Sequence, residues 1–227
     1  MKDIRAILFD AGGTLIHMDG ERASRAAGLP YEADAFRQAH GAALDEVQRW
    51  ILAHPGSTDI ERMPLFLGAI LVRLGVPESE RRQAAGAIAA EHRRANLWSR
   101  GARDAPETLE TLKGRGYRLA VVSNADGRVR GLLEAAGLSG HLEFVVDSAE
   151  VGVEKPDPRI FHAATDRLGL PPSACAYVGD IYEIDVLGAR SAGLTAILIG
   201  SGEAPEDVRR VATLTELLGF FTGCNDQ

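Results

Sequence analysis

Residues 4–15 read IRAILFDAGGTL, a short run of strand formers that stops abruptly at Asp10 and is followed by two glycines. An apolar run this short, closed by glycine, predicts a buried strand leading into a tight turn. Outward from it, YRLAVV (117–122), LEFVV (142–146), CAYV (175–178) and TAILI (195–199) have the same character. These runs lack the polar alternation of a half-exposed strand, so they fit parallel strands covered on both faces. Helical spacing fills the gaps at 105–115, 128–136, 158–168 and 184–192, with glycine closing several of these segments. The alternation predicts an α/β fold, a Rossmann-like doubly wound parallel sheet. Ligands of such sheets gather beyond the carboxyl ends of the strands, and the polar residues that follow these runs are Asp10, Ser123, Asp147 and Asp180.

Residues 17–101 break the pattern. Helical spacing covers 31–53, 60–74 and 79–96 with no strand-like run between them, and the breakers are Pro30, HPGST at 54–58 and GVPES at 75–79. This predicts an inserted α-helical domain over 17–101, within a core made of 1–16 and 102–227.

A chain of 227 residues, 45% hydrophobic and 25% charged, can bury a full core in one or two domains. Its net charge of -7 opposes a sequence-independent grip on nucleic acid or on an anionic membrane, both of which need excess Lys and Arg. The two cysteines, Cys175 and Cys224, form no CxxC pair and lie beside no histidine at metal-ligand spacing. MKDIRAILFD at the start has no signal-peptide core, and no later segment approaches the roughly 18 apolar residues of a membrane span, so the expected location is the cytoplasm. Only Lys2, Lys113 and Lys155 are lysines, which leaves few candidates for any step that needs one.

Four strand ends carry candidate chemistry. FDAGGTL (9–15) sets a carboxylate in a glycine-rich turn whose N–H groups can face an anion. VVSNADG (121–127) places the Ser123 hydroxyl and Asn124 amide just past a second strand. VGVEKPDPRIF (151–161) supplies Lys155 before a proline-defined helix start, and YVGDIYEID (177–185) supplies Asp180 and, five residues on, Asp185. Each alone reads as a common turn or a solvated charge. Together they fall in a definite order on four strand ends.

In that order and spacing the chain resembles the haloacid dehalogenase-like (HAD) superfamily, over nearly its whole length, and the helical insertion resembles the superfamily's C1-type cap. The resemblance implies a hydrolase in which Asp10 is the nucleophile and forms a covalent aspartyl intermediate. It implies that Mg2+ is held by Asp10, the Gly12 backbone carbonyl and Asp180, with Asp185 a weaker candidate acting from behind the ligands. Ser123, with Asn124, would bind the transferring phosphoryl group, and Lys155 would pair with nucleophile and phosphate. The implied substrate is a small phosphorylated metabolite, and the implied assembly is a monomer or homodimer. The charges agree: a phosphate dianion repels an attacking carboxylate, and a hard cation plus a lysine offset that repulsion.

One position departs from the pattern. Phosphatases of the superfamily usually carry a second aspartate two residues after the nucleophile, as the proton donor to the leaving group, and here Gly12 stands there. A positioned general acid is worth about 10²- to 10⁴-fold in rate. L-2-haloacid dehalogenases share the Asp-Ala start, the Gly-Thr-Leu and the Ser-Asn turn, but their pattern has an aromatic residue at this point and lacks GDxxxxD, so a dehalogenase ranks second. Phosphonoacetaldehyde hydrolases need a cap lysine, and the insertion has none. A phosphate-binding or regulatory protein with little turnover is the reading from another class.

His17, at the expected hinge, is a candidate substitute for the missing acid, against the more ordinary role of capping a turn. Asp19 and Glu21 carry the same ambiguity. Arg22, Arg25 and Arg37 read first as a solvated helix face, and Trp50, Phe66 and Trp98 as packing. Asn124 and Asp147 fit turn formation nearly as well as ligand orientation.

Overall fold

A computed structural model of the chain describes residues 3–54, 56–200 and 205–223; Lys2 and Cys224 fall outside them. The chain divides into two compact units, Met1–His17 with Arg100–Gln227, and Met18–Ser99. Its strands are β1 (Ala6–Phe9), β2 (Ile16–Met18), β3 (Trp98–Gly101), β4 (Arg118–Ser123), β5 (Val145–Asp147), β6 (Cys175–Gly179), β7 (Thr195–Ile199) and β8 (Arg209–Val211). Six of them form one sheet in the order β5-β4-β1-β6-β7-β8. Every neighbouring pair in it is parallel. β2 and β3 pair separately, where the chain passes from one unit to the other.

The winding explains where a site can form. From β1 the chain moves outward to β4 and β5, then returns to the other side of β1 as β6 and continues to β7 and β8. The direction reverses between β1 and β6, and at such a reversal the connections diverge and leave a crevice at the strands' carboxyl ends. Asp10 and Asp180 directly follow these two strands.

Burial follows from composition. Cys175, Ala176, Tyr177 and Val178 of β6 are fully buried, as expected for a central parallel strand. The helix Pro158–Leu168 lays Ile160, Phe161, Ala164 and Leu168 on the sheet, each large side chain contributing about 1.5–3 kcal/mol. Asp157 caps its first turn by accepting from the Arg159 N–H, Pro158 begins it, and Gly169 closes it in the left-handed region.

Three local expectations shift. β5 starts at Val145, not 142, because a 3-10 turn at Ser139–His141 leaves Leu142 in the loop. The helix expected over 184–192 begins as a π-helical turn, Tyr182–Val186, and becomes α-helical only at Leu187–Ser191. β8 was not expected: its RRV sequence is an edge strand with only Val211 buried.

Among its described residues the second unit holds four helices, Gly20–Ala26, Ala33–Ala53, Asp59–Arg73 and Glu78–Arg94. Asp19 caps the first through the Arg22 N–H. The Arg22 guanidinium donates to Glu91, Ala95 O, Asn96 O and the Ser99 hydroxyl, tying the first helix to the end of the last. Arg25 pairs with Glu21 and Arg37 with Asp34 on open surface. Trp50 stacks on His54 at 4.2 Å, and Phe66 lies 6.3 Å from Trp98, so these aromatics make packing contacts inside the unit. Among the described residues, no helix is long and apolar enough to cross a membrane.

Candidate active site

The Asp10 N–H donates to the Val178 carbonyl at 2.8 Å, extending the β1–β6 ladder one residue past β1 and setting the Asp10 carboxylate beside the end of β6. Gly13 then takes φ +85°, a left-handed conformation that glycine adopts without a Cβ clash. A Cβ at Gly13 would collide with the Asp180 carboxylate, so the glycine turn is what admits Asp180 to this position. Gly179 does the same for Asp185, whose carboxylate occupies the place a Cβ would need.

Carboxylate oxygens of Asp10, Asp180 and Asp185 all lie within 4.8 Å of one another. Lys155 enters from the loop before the helix Pro158–Leu168. Its ammonium donates to Asp10 Oδ1 at 2.6 Å, to Asp185 Oδ1 at 2.7 Å and to the Tyr177 hydroxyl at 2.8 Å. Lys155, Asp10 and Asp185 are all buried. With all three carboxylates ionised, one ammonium would leave two formal negative charges at a site where Asp180 is only partly buried.

The ionisation of the group reflects that excess. Burial pushes the Asp10 pKa up to about 6, with Lys155 pulling it down and Asp185 adding to the rise. Asp180 is raised well above the usual carboxylate range, first by burial and then by Asp185 and Asp10. Burial alone would lower Lys155, but Asp10 and Asp185 together outweigh it and raise its pKa. The buried Asp180 Oδ1 has no hydrogen-bond partner, in a fold where nearly every buried polar atom has one. An all-oxygen donor set, an orphaned carboxylate oxygen and two uncompensated negative charges fit a hard divalent cation held by Asp10 and Asp180. Asp185 is placed differently: Oδ1 accepts from Lys155 and Oδ2 from the Ile181 N–H at 2.9 Å, so both its oxygens already have protein donors.

Ser123 is buried at the carboxyl end of β4, in register with Asp147. Asn124 serves Lys155: its Oδ1 accepts from the Lys155 N–H at 2.7 Å and its Nδ2 donates to the Lys155 carbonyl at 3.1 Å, clamping that backbone. Asp147 caps the turn Ser148–Val151 through the Ala149 N–H and holds the 123–127 loop through the Gly127 N–H. Gly12 is partly exposed and bridges to Ile16. His17 lines a cavity of about 480 Å³ with Gly13, Thr14, Asp104, Gly200 and Thr215, and neither Asp10 nor Lys155 is among its described walls. His17 is exposed on β2, and partial desolvation lowers its pKa while Asp104 pulls it upward.

Sequence reasoning missed Tyr177. A tyrosine within CAYVG reads as a strand former, and only the tertiary structure shows its hydroxyl meeting Lys155. The available signal was that a hydroxyl inside a wholly buried strand needs a partner.

A doubly wound sheet with a buried aspartate–lysine pair at the reversal of its winding, flanked by further carboxylates, defines a class of hydrolases. Residues 4–193 match the model of the haloacid dehalogenase-like hydrolases, and the chain belongs to that family. It is 34% identical to the human haloacid dehalogenase-like hydrolase domain-containing protein 3 over 223 residues, 91% of this chain and 86% of that protein. It is 32% identical to the glyceraldehyde 3-phosphate phosphatase of Methanopyrus kandleri over 211 residues, 88% of this chain and 85% of that one. Among solved structures, a dehalogenase captured with an intermediate complex is similar over the full length of both chains, with a TM-score of 0.68 and 25% identity.

Proposed function

We propose that this hydrolase is a Mg2+-dependent phosphatase acting on a small phosphorylated metabolite through an aspartyl-phosphate at Asp10. The observation that carries the reading is the Lys155 ammonium 2.6 Å from Asp10 Oδ1, with the unpartnered Asp180 oxygen in the same cluster. Likeness to a phosphatase over most of the chain supports it. Mg2+, held by Asp10, Asp180 and the Gly12 carbonyl, would supply charge neutralisation of the phosphoryl oxygens.

The chain's own residues do the rest. Lys155 keeps Asp10 ionised and oriented, so that an Asp10 carboxylate oxygen attacks phosphorus as the ester O–P bond breaks and the alcohol oxygen leaves with the electron pair. Water then attacks the acyl phosphate, releasing inorganic phosphate and restoring the carboxylate. Ser123, buried at the end of β4, is the hydroxyl available to donate to the phosphoryl group. The helical unit is read as a domain of the C1-type cap kind, and the protein as a cytoplasmic monomer or homodimer with no nucleic-acid or membrane partner.

Gly12 and the likeness to a dehalogenase favour a second reading, hydrolysis of an L-2-haloacid. The carboxylate cluster argues against it, because without a metal an anionic substrate would meet three carboxylates that share one ammonium. Assaying phosphorylated metabolites, acetyl phosphate and 2-haloacids with and without Mg2+ separates them. Phosphate release that needs Mg2+ and vanishes in Asp10→Asn supports the phosphatase; halide release without metal overturns it. Absence of both leaves the binding-protein reading.

A further inference from the structure

The reaction as written has no task for Tyr177, yet its hydroxyl is the one uncharged group touching Lys155 Nζ among the described residues. The ring is fully buried in β6, between Leu8 of β1 and Ala196 of β7 in register, with Phe161 packed edge-on at 4.9 Å. The hydroxyl lies 2.9 Å from the Val122 carbonyl and 3.2 Å from Asp185 Oδ1. A lysine ammonium only donates, so towards Lys155 the tyrosine oxygen is the acceptor and its own proton goes to the nearer acceptor, Val122.

Lys155 thus has three N–H bonds and three fixed acceptors: Asp10, Asp185 and Tyr177. An ammonium on a four-carbon stem otherwise swings freely. Two of the acceptors are charged, and the charge on Asp10 falls when its oxygen bonds to phosphorus. Lys155 is then drawn towards Asp185, which keeps its full charge. Tyr177 is neutral and changes nothing during turnover, so its grip is constant. We propose that Tyr177 is a positioning residue that holds the Lys155 ammonium on Asp10 through the catalytic cycle. Its effect on turnover rests on the phosphatase reading; its effect on the ammonium does not.

The scarcity of lysine makes this testable. With three lysines in the chain, 15N-lysine labelling gives few ammonium resonances, and Lys155→Met assigns the buried one. Tyr177→Phe removes one oxygen. The Lys155 ammonium signal is expected to shift and to exchange its protons faster, while kcat for acetyl phosphate with Mg2+ falls roughly 10- to 100-fold and KM stays within about twofold. An unchanged ammonium signal overturns the proposal. A shifted signal with unchanged kcat overturns the role in turnover. If wild type hydrolyses no phosphate compound, the phosphatase reading fails, and the ammonium signal still decides for or against Tyr177. Should Tyr177→Phe not fold, fluorotyrosine, which keeps the ring and weakens its oxygen as an acceptor, reads the same signal.

Discussion

Lys155 and Asp185 are bonded at 2.7 Å through the same ammonium that reaches Asp10 at 2.6 Å, so two buried carboxylates share one positive charge. Each of the two loses its partner if the lysine is removed. Breaking a buried pair from one side costs about 3–5 kcal/mol, because the surviving charge stays buried without compensation. Lys155→Met is therefore expected to lower the free energy of unfolding by that amount, measured by urea titration, and to abolish turnover. Lys155→Arg should restore little, since a planar guanidinium cannot place three donors on acceptors arranged around a point charge. Wild-type stability in Lys155→Met would refute the account of the cluster.

The excess negative charge also fixes a pH dependence for the metal-free protein. In the folded chain Asp10 holds its proton up to about 6, against the ordinary 3.8, so between about pH 4 and 6 the folded state binds more protons than the unfolded one. Stability then falls as pH rises through this window, by an amount on the order of 2 kcal/mol. Surface carboxylates held low by arginine, such as Glu91 and Asp157, both near 2, titrate below it. Urea unfolding in EDTA at pH 4, 5, 6 and 7 measures the slope, which Asp180→Asn should flatten. A stability that climbs over the same window in wild type would sink the assignment.

Adding Mg2+ should reverse that trend. A ligand that binds only the folded state stabilises it by about 2.7 kcal/mol at a hundred times its Kd. It should also displace the proton the cluster holds at pH 6. Both effects are expected to disappear in Asp180→Asn, whose side chain replaces the unpartnered oxygen with an uncharged amide group. Calorimetric titration in two buffers of different ionisation enthalpy reads the metal affinity and the proton release together. Equal affinity in wild type and variant would remove Asp180 from the metal site.

What the sequence makes legible tracks how local its cause is. The strand TAILI at 195–199 and the helix Pro158–Leu168 fall where continuous apolar character, Asp157, Pro158 and Gly169 place them. β8 escapes because its edge position buries only Val211, leaving no apolar run to find. The short helix Gly20–Ala26 escapes too, although Asp19 marks its start, because seven residues are too few to show periodicity. The same distinction holds at the site. Asp10, Asp180 and Lys155 stand out by chemical type at strand ends, whereas the two hydrogen bonds by which Asn124 holds the Lys155 backbone join residues 31 apart and leave no local sign. Tyr177 depends on Val122, Phe161 and Lys155, which no local pattern links to it.

In the proposed phosphatase reaction, Gly12 bears on the chemical step. It lies two residues beyond Asp10, where a carboxylate would be placed to protonate a departing alcohol, and it offers no side chain to do so. Rates should therefore fall steeply as the leaving-group pKa rises, with acetyl and aryl phosphates turned over far faster than alkyl phosphates. Gly12→Asp is expected to recover part of the deficit for alkyl phosphates, within the 10²- to 10⁴-fold that one general acid is worth, and to change aryl phosphates little. The backbone permits the change: Gly13 is the left-handed residue of this turn, at φ +85°, and Gly12 is not in that region, so an aspartate meets no left-handed strain there. Mg2+ affinity and the unfolding midpoint of the variant are measured first, so that a lost metal site is not mistaken for a failed proton transfer. A folded, metal-binding Gly12→Asp enzyme with wild-type rates, alongside wild-type rates insensitive to leaving-group pKa, would assign the proton to another residue. His17→Asn would then be the next variant, although His17 lines a cavity with Asp104 and Thr215 whose described walls include neither Asp10 nor Lys155.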